Sequence, residues 1–170
     1  MKRGFTLIEI LIVVAIIAIL ASVVLVGLGP TQQAGRDARR LSDLRGVQNA
    51  LELYFSACGF YPGPAIPGTG CAGQTWGSSP TKWSGTGGLA DVLQTSHIGV
   101  NTVPDDPTSG DHYFYGSADG TSYIIGAQLE NKNSSVFSNY TPPSALPSFT
   151  TDGPSSPDCK SASGQYCLTL

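Results

Sequence analysis

The sequence predicts an α+β chain in which a long N-terminal helix lies on a small antiparallel sheet, and three observations carry that prediction. Residues 5–28 are apolar at every position except Thr6, Glu9, Ser22 and Gly27. From Ala34 to Cys58, apolar side chains recur at spacings of three and four. Between 112 and 129 two β-rich runs flank an Asp-Gly turn. At 170 residues the chain holds one domain and an appendage rather than two full domains.

The first element is an apolar helix. Phe5–Leu28 would be about 36 Å long at 1.5 Å per residue, enough to span a hydrocarbon core with some tilt. Lys2 and Arg3 precede it, so the positive-inside bias leaves the short leader in the cytoplasm and exports the C-terminal body. Ala18–Ser22 imitates a signal-peptidase site, yet the apolar run continues through Val26, which argues for an anchor rather than a cleaved secretory signal. Glu9 is the anomaly. A carboxylate about one turn inside an apolar segment is costly. It either snorkels to the headgroups or waits for a cationic partner that arrives on assembly.

Gly27, Gly29 and Pro30 follow, and Pro30 should bend or loosen the helix because it lacks an N–H and crowds the preceding turn. The amphipathic half then presents Ala34, Ala38, Leu41, Leu44, Val47, Leu51, Tyr54 and Cys58 on one stripe. Arg36, Asp37, Arg39, Arg40, Asp43, Arg45, Gln48, Asn49 and Glu52 are assigned to the opposite, solvated face, or to contact with acidic neighbours. The organisation expected is a leader at 1–4, a membrane or core helix at 5–29, an amphipathic helix at 30–58 and a head at 59–170.

Within the head, 63–88 reads as a Gly/Pro/Ser/Thr-rich loop carrying Trp76 and Trp83, each a binding anchor or a local packing anchor. Residues 88–98 read as a short helix with Leu89, Val92, Leu93 and Ile98 inward, and with His97 on the surface. The hairpin at about 112–129 has strands at Tyr113–Tyr115 and Ser122–Leu129. Beyond Glu130 lies a Ser/Pro/Thr-rich tail without helical period.

Charge and cysteines bound the function. Residues 56–170 carry three Lys against eight acids, a net charge near −5, which argues against a nucleic-acid footprint. Cys58, Cys71, Cys159 and Cys167 lack metal-ligand spacing and read as disulfides in an oxidising compartment. Three pairings are possible, and the local one, 58–71 with 159–167, requires the least folding information; free or intermolecular thiols are the alternative. No nucleophile–base pair or phosphate loop stands out, so the sequence is not read as an enzyme. Asn133-Ser134-Ser135 and Asn139-Tyr140-Thr141 fit a short glycosylation pattern.

The stretch Lys2-Arg3-Gly4-Phe5-Thr6-Leu7-Ile8-Glu9, set before an apolar helix, closely resembles the N-terminus of type IV pilins and type II secretion pseudopilins, with a class III prepilin leader. The resemblance implies a pilin-like fold. It also implies cleavage after Gly4 by a prepilin peptidase, N-methylation of Phe5, and an assembly role for Glu9 against the N-terminus of a neighbouring subunit. It implies as partners a filament of like subunits, the membrane before assembly, and an inner-membrane assembly machine with a cytoplasmic ATPase.

The middle region through Gly59-Phe60-Tyr61-Pro62 and the stretch from Val103-Pro104-Asp105-Asp106-Pro107 to Gln128-Leu129-Glu130 are similar to major, G-type pseudopilins. That class often binds calcium in a C-terminal loop, and Asp105, Asp106, Asp111 and Asp119 are the candidate oxygen donors here. The disulfide-tied tail is closer to type IV pilins of surface pili, serving adhesion, twitching motility or DNA uptake. A monomeric membrane-anchored binding protein is the alternative from another class. The expected location is a single-pass cytoplasmic membrane anchor with its body outside, then a periplasmic or cell-surface filament.

Overall fold

The computed structural model describes residues 4–63, 82–150, 152–154 and 157–170, without the side chains of 23–27. Trp76 and Cys71 lie outside that set. The described elements are α1 (Leu7–Cys58), α2 (Leu89–Thr95), β1 (Phe114–Gly116), β2 (Ile124–Gln128) and β3 (Gln165–Thr169), with 3-10 turns at Ser135–Phe137 and Ser161–Ser163. A long helix followed by a three-stranded antiparallel sheet, in the order β1-β2-β3, is the α+β, pilin-like arrangement the sequence predicts.

The chain divides into two compact units, Met1–Gly35 and Arg36–Leu170. In the first unit the helix is solvent-exposed at every described position, including Leu7, Ile8, Leu11 and Leu20. Ser22 turns its hydroxyl back onto the Ile19 carbonyl at 2.7 Å, so the polar group is satisfied within the helix itself. Helical secondary structure runs on through Gly29 and Pro30 without a break. Among the described residues no helix is long and apolar enough to cross a membrane, the side chains of 23–27 being outside them.

In the second unit α1 buries a stripe at Asp37, Arg40, Leu44, Val47, Leu51 and Tyr54, alternating spacings of three and four. This corrects the stripe expected from sequence at its N-terminal end: Ala34 and Ala38 are exposed, while Asp37 and Arg40 are buried. The period was legible but the residue types there inverted the assignment, because the sheet side offers carboxylates and backbone N–H groups rather than apolar surface. Gly59, at φ +80°, ends the helix in the left-handed conformation that glycine adopts without strain, and its N–H donates to the Phe55 carbonyl at 2.7 Å.

The sheet is covered on both faces, and its strands alternate accordingly. Tyr113, Tyr115, Ile125 and Ala127 face α1 and α2, where they meet Leu44, Leu51, Tyr54, Leu89, Val92 and Leu93. The alternate residues Phe114 and Ile124 face a second cluster built on Cys159, Cys167 and Phe149. The hairpin register pairs Phe114 with Gly126 and Gly116 with Ile124. The segment 165–169, expected to be irregular tail, instead forms β3 against β2, with Gly126 opposite Cys167. Its signal is a run of five residues with Tyr166 and Leu168 on the α1 side and Cys167 on the other, too short to stand out in a Ser/Pro-rich context.

The rest of the tail closes the structure. The Thr150 N–H donates to the Tyr115 carbonyl at 2.9 Å and its hydroxyl oxygen accepts the Tyr115 N–H at 3.3 Å, so the outer edge of β1 is capped. Tyr140 donates to the Cys159 carbonyl and accepts the Cys167 N–H. Cys159 and Cys167 are disulfide-bonded to each other, and Cys58 is also in a disulfide.

Gly126 is fixed by contact: a Cβ there would meet the Phe114 ring and stand 2.8 Å from Cys167 Sγ. Gly126→Ala should therefore lower stability by about 1–3 kcal/mol through overpacking, read as a fall in the thermal midpoint. An unchanged midpoint would contradict this packing.

Candidate functional site

Two regions carry the polar chemistry. The first is the N-terminal segment. Gly4 has open space around it and Phe5 is 80% exposed. Thr6 caps α1: its hydroxyl oxygen accepts the Glu9 N–H at 3.3 Å, and its carbonyl accepts the same N–H at 3.2 Å. Thr6-Leu7-Ile8-Glu9 has the spacing of a capping box, a signal of the helix start present in the sequence itself. Glu9 is exposed, on a helix face otherwise made of Leu, Ile and Val.

The second region is a charged network where α1 meets the loop before β1 and the end of β2. The Arg40 guanidinium is 2% exposed. It forks onto Asp106, with Nε to Oδ2 at 2.7 Å and Nη2 to Oδ1 at 2.9 Å. Its Nη1 reaches Asp37 at 2.8 Å and Glu130 at 2.9 Å, and Nη2 also donates to the Thr108 hydroxyl at 2.7 Å. Arg36 grips Glu130 with two bonds of 2.6 Å. Asp37 in turn accepts the backbone N–H groups of Glu130 and Asn131, both at 3.0 Å. A helix turn is thus bolted to two loops by charge-assisted bonds.

The electrostatics follow the contacts. Burial opposes the charge on Arg40, but its bonds to Asp106 and Glu130 outweigh that and hold it above its ordinary pKa. Hydrogen bonding to Arg36, against the effect of burial, pulls the Glu130 carboxyl down to about 2. Further along α1, Asp43 accepts the Tyr113 hydroxyl at 2.9 Å, and Glu52 accepts those of Tyr61 and Tyr123 at 3.2 Å. Burial pushes the Tyr54 hydroxyl up to about 12.

The four acids singled out from sequence are scattered among different partners. Asp106 belongs to Arg40, and Asp105 pairs with His112 Nδ1 at 2.6 Å. Asp119 accepts the Thr121 N–H at 3.0 Å and its hydroxyl at 2.7 Å, bonds that hold its carboxyl below the usual range. Asp111 is exposed. Among the described residues no group of three or more His, Cys, Asp or Glu is placed to hold a metal ion. Trp83 is fully buried, with its Nε1–H on the Pro104 carbonyl at 3.1 Å and its N–H on the Asp152 carboxylate at 2.7 Å. It is a packing anchor, which removes it as a surface binding residue. His97 is exposed, as expected.

Residues 1–25 match the family described as the prokaryotic N-terminal methylation motif. The chain is 40% identical over 53 residues to the type II secretion system core protein G of Escherichia coli (strain K12), covering 31% of this chain and 37% of that protein. It is 36% identical over 53 residues to the core protein G of Aeromonas hydrophila, with the same coverage. The matched stretch thus spans little more than a third of the length of either relative, and over that stretch the chain is similar to G-type pseudopilins. No solved structure matches the chain significantly.

Because the Glu130 pKa is depressed in the folded state, its contribution is present above the ordinary carboxyl value near 4.3 and is lost as pH falls toward 2. Thermal midpoints measured from pH 6 to pH 2 should fall most steeply between about 4.5 and 2, and Glu130→Gln should flatten that fall while lowering the plateau. Equal acid sensitivity in the variant would contradict the role given to Glu130.

Proposed function

We propose that this chain is a structural subunit of a helical, pilus-like filament, most similar in role to a major pseudopilin of a type II protein secretion system. The observation that carries the reading is one carboxylate, Glu9, on an exposed apolar helix within the stretch that matches the methylation motif. Such a helix needs a cover, and other copies of itself supply one in which Glu9 can be paired. The chain's own chemistry is that of a substrate rather than an enzyme: a prepilin peptidase cuts between Gly4 and Phe5 and methylates the new amino group of Phe5. The amine of one subunit then meets Glu9 of a neighbour in a low-dielectric bundle. A subunit out of register leaves a buried charge unpaired, so the pair sets the stagger more than it adds stability.

Before assembly the apolar helix sits in the cytoplasmic membrane with the body outside, and a cytoplasmic ATPase drives extraction into the filament. The body's disulfides fit an oxidising compartment. A second reading, a type IV pilin of a surface pilus, is favoured by the tail that Cys159–Cys167 pins over the sheet. Filaments sheared from the cell surface distinguish the two.

The test is the intact mass of the protein from its native membrane or filaments. Loss of Met1–Gly4, one added methyl group and four hydrogens regained on reduction are expected. An uncut chain, or a cut near Ser22, overturns the proposal.

Glu9→Ala should leave insertion into the membrane fraction unchanged and abolish or misregister assembly, as loss of a buried pairing of about 3–5 kcal/mol requires. Normal filaments from that variant would refute the register argument.

A further inference from the structure

Among the described side chains of residues 36–170 the internal pairing of carboxylates is nearly complete, and the exception is informative. Asp37, Asp43, Glu52, Asp91, Asp105, Asp106, Asp119, Glu130, Asp152 and Asp158 each accept at least one hydrogen bond or ion pair. Among the described carboxylates of this unit, Asp111 stands without one. It is exposed and borders a recess of about 400 Å³ beside Arg36 and Arg40, whose guanidinium groups are committed to Glu130, Asp106 and Asp37.

The guanidinium groups show the same pattern, whereas no ion pair among the described residues involves Lys82 or Lys132. Arg36 and Arg40 are held internally, and Arg39 reaches Asp43 at 3.6 Å. Arg45 is the one described guanidinium with no partner. It is exposed on the face of α1 turned away from the sheet. Beside it lie Ala38, Ser42 and Gly46, all exposed, and a Cβ on Gly46 would meet nothing within 4 Å. Small side chains there let a neighbouring body approach the helix closely enough for a charge to reach Arg45.

We propose that Arg45 of one copy pairs with Asp111 of a second copy of this chain, so that the solvent face of α1 is a contact surface for the acidic head of a neighbour. Opposite charge is the argument for that occupant: Arg45 lies on the stretch 34–55, which has one surplus positive charge, and Asp111 on a head whose net charge is near −5. Among the described residues neither has an ion-pair partner, and each matches the other in charge. Such a pair selects orientation and register, because like charges brought together disfavour wrong dockings. The inference rests on the filament reading above and adds to it a contact between bodies, separate from the Glu9 helix contact.

The test treats membranes carrying the full-length protein with an amine-reactive cross-linker and reads multimers on a denaturing gel. Arg45→Asp and Asp111→Arg are compared with the double charge swap; neither adds an amine, so reactivity is unchanged. Each single reversal should reduce the multimer yield about five-fold or more with monomer abundance unchanged, and the swap should restore it to within about two-fold of the natural chain. Added salt should weaken the natural contact. Single reversals that cross-link normally, a swap that fails to rescue, or products whose masses are not whole multiples of the chain would overturn the pairing. Absence of multimers from the natural chain would instead overturn the filament reading.

Discussion

The body depends on a guanidinium taken out of water. Arg40 is nearly inaccessible and is held by three carboxylates and a hydroxyl. A charge at that depth is tolerated when its donors are satisfied, and breaking such a set by removing one partner strands the others. The geometric result is that α1 has one permitted position along the sheet. Sliding the helix by a turn in one direction would bring Leu44 to the carboxylates, and in the other would carry Arg40 into the aromatic core. Apolar packing farther along, from Leu44 to Tyr54, is more permissive, because large apolar side chains accept several neighbours of similar volume. The charged end therefore specifies the alignment that the apolar end stabilises.

The sheet shows how a small domain covers two faces with few elements. A sheet this small needs a buried hydrophobic face or a helix packed on it to be stable. Here α1 and α2 close one side, and a tail with little regular structure closes the other through Phe149, Thr150 and the Cys159–Cys167 bridge. Gly126 makes that bridge possible by leaving room for Cys167 and the Phe114 ring at one register position. The disulfide is thus part of a hydrophobic cluster and not a surface tie.

What could be read in the sequence followed from local periodicity. The long helix, the short helix at Leu89–Thr95 and the hairpin around Asp119-Gly120 all have local signals, and all are present. The motif at Gly4–Glu9 is contiguous in sequence, so it too was legible, except for the capping role of Thr6. Other features depend on contacts between distant parts of the chain. Arg40 looked like a solvated residue because its partners at 106 and 130 are 66 and 90 positions away. Strand β3 was hidden because its apolar residues gain meaning only from pairing with β2, although the Cys159–Cys167 bridge beside them is the local pairing the sequence favours. Trp83 could not be placed until Pro104 and Asp152 were seen to hold it.

The start of α1 has a consequence for any chain cut after Gly4. Thr6 is the cap and Leu7 the first helical residue, so the new amino group would stand within two residues of the helix N-terminus. That end of a helix carries a partial positive charge from its aligned peptide dipoles. An ammonium group placed there is repelled by the dipoles of its own helix, and Glu9 puts a carboxylate in the first turn of that same helix. A cut after Gly4 would therefore leave α1 with a charge at its tip that only an anion can offset.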